Sequence, residues 1–228
     1  MRVATTLRGR NRFYLLPAGG YQRRAGRILA SMIDTISAVV LAAGASTRMG
    51  QPKLLLPLGD EPLVRRTVRL VCGAGFDEVL VVVGSHHAEV LGALEGLPIR
   101  HALNPDYATG MGSSFRTAVA RLPGAAAALF ALADQPFLTS DDYRQLLDVY
   151  REQAPPLVSV RYDEITAPPH LFARALFPEL AALEHGARPV LQRHRERAVV
   201  LAFPSEKLLD IDTPADYELA RSRLSAAR

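Results

Sequence analysis

The feature that most constrains the fold is a repeated alternation of short apolar runs with segments of helical spacing. Four runs are rich in Val, Ile, Leu or Ala, at residues 36–42, 78–83, 99–103 and 126–133. They are too uniformly apolar for strands with one face in water, so each predicts a strand that is buried on both faces. Because such strands occur in parallel sheets covered by helices, the pattern predicts an α/β fold.

Helix signals lie between these runs and after them. Proline or a hydroxyl residue is favoured at a helix start and glycine at its end. These signals occur at Pro62 with Gly73, at Ser113 with Ser114, at Thr139 or Ser140 before residues 141–151, and at Thr213 before Pro214. No interdomain linker interrupts the alternation, so one domain over residues 34–228 is predicted.

The distribution of charge separates residues 1–33 from the rest of the chain. They contain seven arginines and no acid, whereas the whole chain has a net charge of +4, so residues 34–228 are mildly acidic. The basic character of the chain therefore does not indicate a nucleic-acid partner. Residues 1–33 are predicted to be a disordered basic leader or an overlong, mis-annotated start, with a targeting segment or an anion-binding arm as alternatives.

Composition also bears on the compartment. No apolar stretch reaches the length of roughly 18 residues that a membrane span needs. The single cysteine, Cys72, cannot form an intramolecular disulfide. A cytoplasmic protein with no membrane partner is therefore expected.

A loop of small and basic residues follows the first apolar run. In an open α/β sheet, ligands bind beyond the carboxyl ends of the strands, where this loop is expected to lie. Small residues let the backbone approach a ligand, backbone N–H groups can bind an anion, and basic side chains can neutralise phosphate oxygens. The loop predicts a site for a nucleoside triphosphate, with a simple turn as the alternative. Its candidate residues are Ala42, Ala43, Gly44, Ser46, Arg48, Gly50 and Lys53.

Acidic side chains follow later runs. Asp134 comes after the fourth run, where a carboxylate can coordinate Mg²⁺ beside the phosphates or can simply cap a helix. Asp210 and Asp212 occupy alternate positions of a predicted short strand near the end of the chain. They are therefore expected to face opposite sides of the sheet, so that at most one of them shares a metal with Asp134.

Gly110, Ser113 and Ser114 follow the third run. Two serines at a helix start can offer hydroxyl and backbone N–H groups to a base or a ribose. The segment is therefore a candidate nucleoside contact, and capping of the helix alone is the alternative.

Four motifs in this order give the chain a specific resemblance. They are A-A-G-x-S-x-R-M-G-x-x-K from Ala42, N-P-x-x-x-x-G-M-x-x-S from Asn104, L-A-D-Q-P from Leu132 and D-I-D-T-P from Asp210. Together they resemble the MobA-like nucleotidyltransferases. The first motif is similar to that of the molybdenum cofactor cytidylyltransferase (MocA-like) type, because the guanylyltransferases usually have A-G-G where this chain has Ala43. The resemblance implies a single-domain Rossmann-like nucleotidyltransferase fold, with a mostly parallel twisted sheet and helices on both faces.

The resemblance also implies an activity. CMP would pass from CTP to the phosphate of molybdopterin with release of pyrophosphate, with Mg²⁺ as cofactor and a molybdenum hydroxylase as a transient partner. Arg48, Lys53 and Asp134 would be catalytic, and Asp210 or Asp212 would complete the metal site. A phosphate monoester is already a nucleophile at neutral pH, so no Ser-His or Cys-His pair is required.

The second half departs from the family pattern on the acceptor side. Family members usually carry G-x-P-x-x-F and G-D-x-G-A-R, whereas this chain has Ala167 and Leu183 at the first glycine of each. His170, His185 and Arg188 are the candidates for contact with a phosphate or a pterin, with structural roles as the alternative. Two other functions stay open: transfer to a sugar phosphate or alcohol phosphate, and non-catalytic binding of the pterin cofactor for a molybdenum hydroxylase.

Overall fold

The computed structural model describes residues 35–226, which form a central sheet covered by helices. The strands are β1 (Thr35–Ala42), β2 (Pro57–Leu58), β3 (Glu61–Pro62), β4 (Glu78–Val83), β5 (Arg100–Leu103), β6 (Ala125–Leu132), β7 (Leu157–Tyr162), β8 (Ile165–Ala173) and β9 (Ala198–Phe203). The helices are α1 (Leu63–Cys72), α2 (His87–Ala93), α3 (Met111–Ala120), α4 (Ser140–Gln153), α5 (Phe177–Ala181), α6 (Arg188–His194) and α7 (Pro214–Ala226).

The main sheet has seven strands in the order β5-β4-β1-β6-β8-β7-β9, and β2 pairs with β3 in a separate hairpin. Neighbouring strands of the main sheet are parallel except where β8 pairs with β6 and β7. The last residues of β1 are in register with those of its neighbours, since Ala42 pairs with Val83 and Leu41 with Leu132. The carboxyl ends of β1, β4 and β6 therefore meet at one edge, where Rossmann-like sheets bind ligands.

The central strands β1, β4 and β6 are buried on both faces. The prediction of two buried faces is wrong for the third run, because β5 lies at the edge of the sheet and only Ala102 of its residues is buried. In β1, Val40 belongs to the buried cluster that contains residues of α1, α2, α4 and α7, while Val39 belongs to the cluster that contains residues of α3, α5 and α6. Both side chains are fully buried. Alternate residues of a strand point to opposite faces, so two helical layers require apolar side chains at every position. The predicted mostly parallel sheet with helices on both faces is confirmed.

Most predicted helix starts and stops are close to the observed ones. Helix α1 begins after Pro62 and ends before Gly73, as predicted. Thr139 caps α4, because its side chain accepts a hydrogen bond from the backbone of Asp142, whose side chain bonds back to the backbone of Thr139. Helix α3 begins at Met111, earlier than the predicted start at the two serines.

The predicted strand at residues 210–212 is wrong, because these residues form neither a strand nor a helix. The backbone N–H of Ile211 donates to the carbonyl of Asp134 at 3.1 Å, which ties the segment to the end of β6 without extending the sheet. The flanking acids still point to different partners, because their side chains are positioned by separate contacts.

The predicted basic leader at residues 1–33 lies outside the described residues. Among residues 35–226, no helix is both long and apolar enough to cross a membrane.

Candidate active site

A cavity of about 370 Å³ opens at the edge where the parallel strands end. Its lining includes most of the residues predicted to hold a nucleotide or a metal, namely Ala42, Ala43, Gly44, Ser46, Arg48, Lys53, Gly110, Ser114, Asp134, Asp210 and Asp212. A second cavity of about 430 Å³ lies between the β2–β3 hairpin and α7. None of the predicted site residues lines this second cavity, so the chemistry is concentrated at the first.

The loop after β1 is held in a fixed shape by local contacts. Ser46 adopts a left-handed backbone conformation, with φ of 55°, and its Oγ accepts a hydrogen bond from the backbone N–H of Lys53 at 3.2 Å. Gly50 is also left-handed, with φ of 69°, which glycine adopts at little cost. A Cβ at Gly44 would meet nothing within 4 Å, so the space beside this backbone is open. The loop therefore presents its backbone to the cavity.

Two basic side chains and two acids converge at the bottom of the cavity. The Nζ of Lys53 lies 2.6 Å from Asp134 Oδ2 and 2.8 Å from Asp212 Oδ1. The guanidinium of Arg48 lies 2.9 Å from Asp212 Oδ2. The Lys53 side chain is only 12% exposed, whereas that of Arg48 is 68% exposed. Lys53 is thus an enclosed cation between two carboxylates, and Arg48 approaches from the open side.

The charges in this cluster shift one another's pKa values. Burial lowers the pKa of Lys53, but the adjacent Asp134 and Asp212 outweigh it, so the pKa is raised. Burial raises the pKa of Asp212, but Lys53 and Arg48 outweigh it, so that pKa is lowered. Both groups are therefore held in their charged forms at neutral pH.

Asp210 has different surroundings. Gln135 Nε2 donates to its Oδ1 at 2.8 Å. Asp210 is partly open to the cavity, but the protein around its carboxylate reduces its contact with water. This partial burial, together with the charges of Asp134 and Asp212, raises its pKa above the ordinary value. The structure thus joins Asp212 to Asp134 through Lys53 and holds Asp210 beside them.

The acids suit a divalent cation that is also bound by phosphates. Asp134 Oδ1 is buried without a hydrogen-bond partner, so one oxygen of this carboxylate remains available to a ligand. Among residues 35–226, no three His, Cys, Asp or Glu side chains converge on one metal position. Mg²⁺ is usually held by one or two carboxylates plus substrate phosphates and water, so a complete cage of protein ligands is not required. The donor set therefore fits a metal that arrives with a nucleotide.

The serines at the start of α3 do not cap that helix, since the N-cap position is Gly110 and no side chain caps it. Asn104 Nδ2 donates to the hydroxyls of Ser113 at 2.8 Å and Ser114 at 3.0 Å, and Ser113 Oγ donates to the Gly110 carbonyl. Both serines are buried, and Ser114 lines the cavity. The alternative that these serines only cap a helix is therefore wrong.

The fold and the loop geometry agree with a family comparison. Residues 38–198 match the model of the MobA-like NTP transferase domain. The chain belongs to this family. The resemblance inferred from the four motifs is confirmed, and the chain is a MobA-like domain of the nucleotidyltransferase class.

Relatives of this MobA-like domain carry several names. Purine catabolism protein PucB of Bacillus subtilis is 36% identical over 200 residues, which cover 82% of this chain and 96% of PucB. A probable molybdenum cofactor guanylyltransferase of Rhodopirellula baltica is 31% identical over 192 residues, which cover 78% of this chain and 88% of the relative.

The crystal structure of Rv0371c of Mycobacterium tuberculosis H37Rv in complex with manganese is 30% identical. It has a TM-score of 0.70 and covers 82% of this chain and 98% of its own. A divalent cation is thus present in the structure of a relative.

The predicted acceptor residues of the MobA-like domain have different placements. His170 is buried within β8, where Phe130 is its partner on β6, and its Nδ1 has no hydrogen-bond partner. Burial lowers the pKa of His170 to about 3. His185 and Arg188 are exposed, and His185 Nδ1 lies 3.4 Å from the position that a Cβ on Gly110 would occupy. His185 is thus beside the cavity lining, while His170 is enclosed in the sheet.

Close backbone contacts hold the His185 loop in place. A Cβ on Gly112 would lie 2.1 Å from the carbonyl oxygen of Leu183, so only glycine fits at this position. The backbone N–H of Gly112 donates to the Glu184 carbonyl at 3.2 Å. The first turn of α3 and the 183–186 loop therefore form one continuous wall.

Several cavity residues lie outside the sequence predictions. Tyr107 and Met111 line the cavity, and Asn104 organises the two serines. A Cβ on Gly84 would lie 2.7 Å from Tyr107 Cβ and 2.9 Å from Ala43 Cβ, so Gly84 allows these two residues to approach each other. The N-P-x-x-x-x-G-M motif contains Asn104, Tyr107 and Met111, so it could have indicated them.

Proposed function

We propose that this protein transfers CMP from CTP to the terminal phosphate of molybdopterin and releases pyrophosphate. The observation that carries the proposal is the position of Lys53, enclosed between Asp134 and Asp212 at the foot of an open glycine loop. Basic groups and metal-binding acids at the carboxyl ends of parallel strands suit the polyphosphate of a nucleotide. Membership of the MobA-like family supports the same reaction class.

Each part of the cavity has a proposed role. The backbone of residues 43–50, with Gly44, Ser46 and Gly50, surrounds the triphosphate, while Arg48 and Lys53 neutralise its oxygens. Gly110, Ser113, Ser114 and the backbone around Ala42 and Ala43 contact the nucleoside. The residues named individually here line the cavity, except Gly50 and Ser113, which lie in the same segments as lining residues.

Asp134 and Asp212 are the proposed ligands of Mg²⁺, and Asp210 completes the acidic wall. When bound, Mg²⁺ supplies positive charge to phosphate oxygens and helps to orient them. Lys53 already spans both carboxylates in this structure. We therefore propose that its ammonium turns from the acids to a phosphate oxygen when the nucleotide enters.

The reaction needs little covalent chemistry from the protein. A phosphate oxygen of the acceptor attacks the α-phosphorus of CTP, a new P–O bond forms, and the bond from the α-phosphorus to the bridging oxygen of pyrophosphate breaks. Charge builds up on the departing pyrophosphate, where Arg48 and Lys53 stabilise it. Catalysis in such reactions is mainly positioning and charge stabilisation.

The acceptor side is proposed to involve His185 and Arg188, because both are exposed and His185 adjoins Gly110 on the cavity wall. We do not assign contact with the acceptor to His170, because it is buried within β8. A cytoplasmic location and delivery of the product to a molybdenum hydroxylase complete the proposal.

Two other functions make different predictions. The departures at Ala167 and Leu183 are the support for the first alternative, a sugar phosphate or an alcohol phosphate as acceptor. A non-catalytic carrier of the pterin cofactor would bind the cofactor without consuming a nucleotide. The cluster of Arg48, Lys53 and two acids argues against the carrier, because carriage alone needs no site for a metal and a triphosphate.

The experiment is to measure pyrophosphate release from CTP, GTP, ATP and UTP, each with molybdopterin, a sugar phosphate and an alcohol phosphate. The proposal predicts the highest kcat/KM for CTP with molybdopterin. If turnover occurs only with a sugar phosphate or an alcohol phosphate, then that compound and not molybdopterin is the acceptor. Absence of turnover across the whole panel, together with tight binding of molybdopterin, would favour the carrier.

A further inference from the structure

Lys207 and Asp142 form an ion pair that the proposed reaction does not use. Lys207 Nζ donates to Asp142 Oδ1 at 2.6 Å and to Oδ2 at 2.8 Å. The Asp142 side chain is only 4% exposed, and its Oδ2 also accepts from the backbone N–H and the hydroxyl of Thr139. A buried carboxylate thus has its countercharge supplied by a segment distant in sequence, and removal of that charge would be costly.

This pair joins the two segments that carry the acids of the cavity. Asp142 lies in the first turn of α4, directly after the loop that carries Asp134. Lys207 lies between β9 and α7, in the segment of residues 204–213 that carries Asp212. Apart from the short 3-10 turn Ser205–Lys207, this segment has no regular structure. Its position therefore depends on its contacts with neighbouring parts of the fold.

Two other hydrogen bonds join the same segments nearer the cavity. The backbone N–H of Ile211 donates to the Asp134 carbonyl, and Gln135 Nε2 donates to Asp210 Oδ1. Ile211 is fully buried, and Gln135 is 1% exposed. These bonds fix the segment at residues 210 and 211, whereas Lys207 fixes it before Leu208. The ion pair is therefore a contact that holds the segment before it reaches the cavity.

We propose that Lys207 is a positioning residue for the acids of the cavity. Through Asp142, it holds residues 204–213 against the loop after β6 and so sets the separation between Asp134 and Asp212. The Nζ of Lys207 also lies 5.7 Å from the centre of the Phe203 ring, which helps to keep the side chain in this direction. The inference rests on the proposed use of a divalent cation with a nucleotide and does not depend on which acceptor is used.

The proposal is tested by the binding of Mn²⁺ in the presence of CTP, followed by the electron paramagnetic resonance signal of free Mn²⁺. Residues that orient metal ligands typically contribute 10- to 100-fold in affinity or activity, so Lys207→Met should raise the dissociation constant of Mn²⁺ about tenfold. Lys207→Arg keeps the charge and should remain within about threefold of the native protein.

Arg100→Met is the matched control. It removes an ion pair with Glu78, 2.5 Å long, at the amino ends of β4 and β5 and therefore at the opposite edge of the sheet from the cavity. This variant should bind Mn²⁺ as the native protein does. If the Lys207–Asp142 pair were purely structural, both Met variants would have a lower melting temperature and both would keep the native Mn²⁺ affinity.

A folded Lys207→Met protein with native Mn²⁺ affinity would overturn the proposal, and so would an equal loss of affinity in Arg100→Met. If circular dichroism shows that Lys207→Met does not fold, Asp142→Asn replaces it, because the amide keeps an oxygen for Thr139. Native Mn²⁺ affinity in Asp142→Asn, or an equal loss of affinity in Arg100→Met, would then overturn the proposal. A native protein that binds no Mn²⁺ with any of the four nucleotides would overturn the proposed function as well. Native binding without turnover of molybdopterin would overturn the acceptor assignment alone.

Discussion

The regions that carry the predicted nucleotide residues and the predicted acceptor residues differ in the direction of their strands. On the nucleotide side, β1 and β6 run parallel, and Lys53 and Asp134 lie in the loops that follow their carboxyl ends. On the acceptor side, β8 runs antiparallel to β6. Its amino end, and not its carboxyl end, therefore reaches the edge where the cavity lies.

This difference determines which residues can reach a ligand. The register pairs His170 with Phe130, inside the end of β6 at Leu132, so the histidine is enclosed by the sheet. The rule that functional residues follow the strands applies to parallel neighbours and does not apply to an antiparallel one. The predicted nucleotide residues therefore form a convergent cluster of charges, whereas the acceptor contacts proposed above lie in the loop of residues 183–187 and at the start of α6.

The largest expected effect on the nucleotide side is that of Lys53→Ala. Lys53 lies between two carboxylates and is proposed to move to the phosphates, so its loss removes charge stabilisation from the transition state. By analogy with removal of one oxyanion donor, kcat should fall by roughly 10² to 10³. Arg69→Ala, which removes the ion pair between Arg69 on α1 and Glu61 on β3, is the control and should retain native kcat. Unchanged turnover in Lys53→Ala would remove this lysine from the mechanism.

Ala43→Gly tests whether the nucleotide side also selects the base. Pocket sterics typically contribute about 1 to 3 kcal/mol, so a preference for CTP over GTP should persist but fall by roughly tenfold. The Ala43 methyl lies beside Gly84, as does Tyr107, so its removal should loosen this wall without opening the cavity fully. The ratio of kcat/KM values for the two nucleotides is the measurement. An unaltered ratio would place base selection elsewhere.

His170→Leu tests the burial of the acceptor strand. Because burial lowers the pKa of His170 to about 3, the unfolded chain binds a proton below pH 6.5 that the folded protein does not. Stability should therefore decrease as the pH falls from 6.5 toward 3, by about 1.4 kcal/mol at pH 5.5. Urea unfolding at pH 7.5 and 5.5 should show this loss in the native protein and much less of it in His170→Leu. Equal losses in both proteins would contradict the burial of this histidine.

Arg188→Ala is expected to act on the acceptor alone. An exposed arginine that contacts a phosphate contributes modestly, so KM for the acceptor should rise about threefold to tenfold. KM for CTP and the melting temperature should stay at their native values, since Arg188 is exposed at the start of α6. His170→Leu serves as the matched comparison and should leave both KM values unchanged. A rise in KM for CTP would assign Arg188 to the nucleotide side.

Removal of residues 1–31 is expected to have the smallest effect. We propose that the domain begins near residue 34 and that the basic leader adds nothing to the site, because every predicted site residue follows Ile36. Melting temperature and turnover should remain within experimental error of the native values. A large loss of either would show that the arginines contribute to folding or to the binding of phosphates.

Much of the fold, and the position of the loop after β1 beside Asp134, could be predicted from the sequence, because apolar runs and helix caps are local signals. Apolar strands buried on two faces require a covered parallel sheet, and the direction of β1 determines where the loop from Ala43 to Lys53 must lie. Pro62 and Thr139 act through the first turn of their own helices. The helix caps are set within a few residues along the chain, and the buried strands are visible in the sequence as apolar runs.

The rest depends on contacts between segments that are distant in sequence. The sequence of the D-I-D segment predicts a strand. In the structure, the Asp134 carbonyl accepts a hydrogen bond from the Ile211 N–H, and Lys53 donates one to Asp212. The bond from Asn104 to the two serines and the close approach at Gly84 also arise only after folding. Periodicity alone carries no information about such contacts.

The central claim is tested most directly by following the α-phosphate of CTP. With CTP labelled at the α-phosphorus, molybdopterin and Mg²⁺, the account predicts that the label moves into a cytidine-linked pterin product while pyrophosphate is released in equal amount. Lys53→Ala should form this product at least about 100-fold more slowly. Label that stays in CTP, or that appears only as free CMP, in the presence of molybdopterin would contradict transfer of CMP to this acceptor.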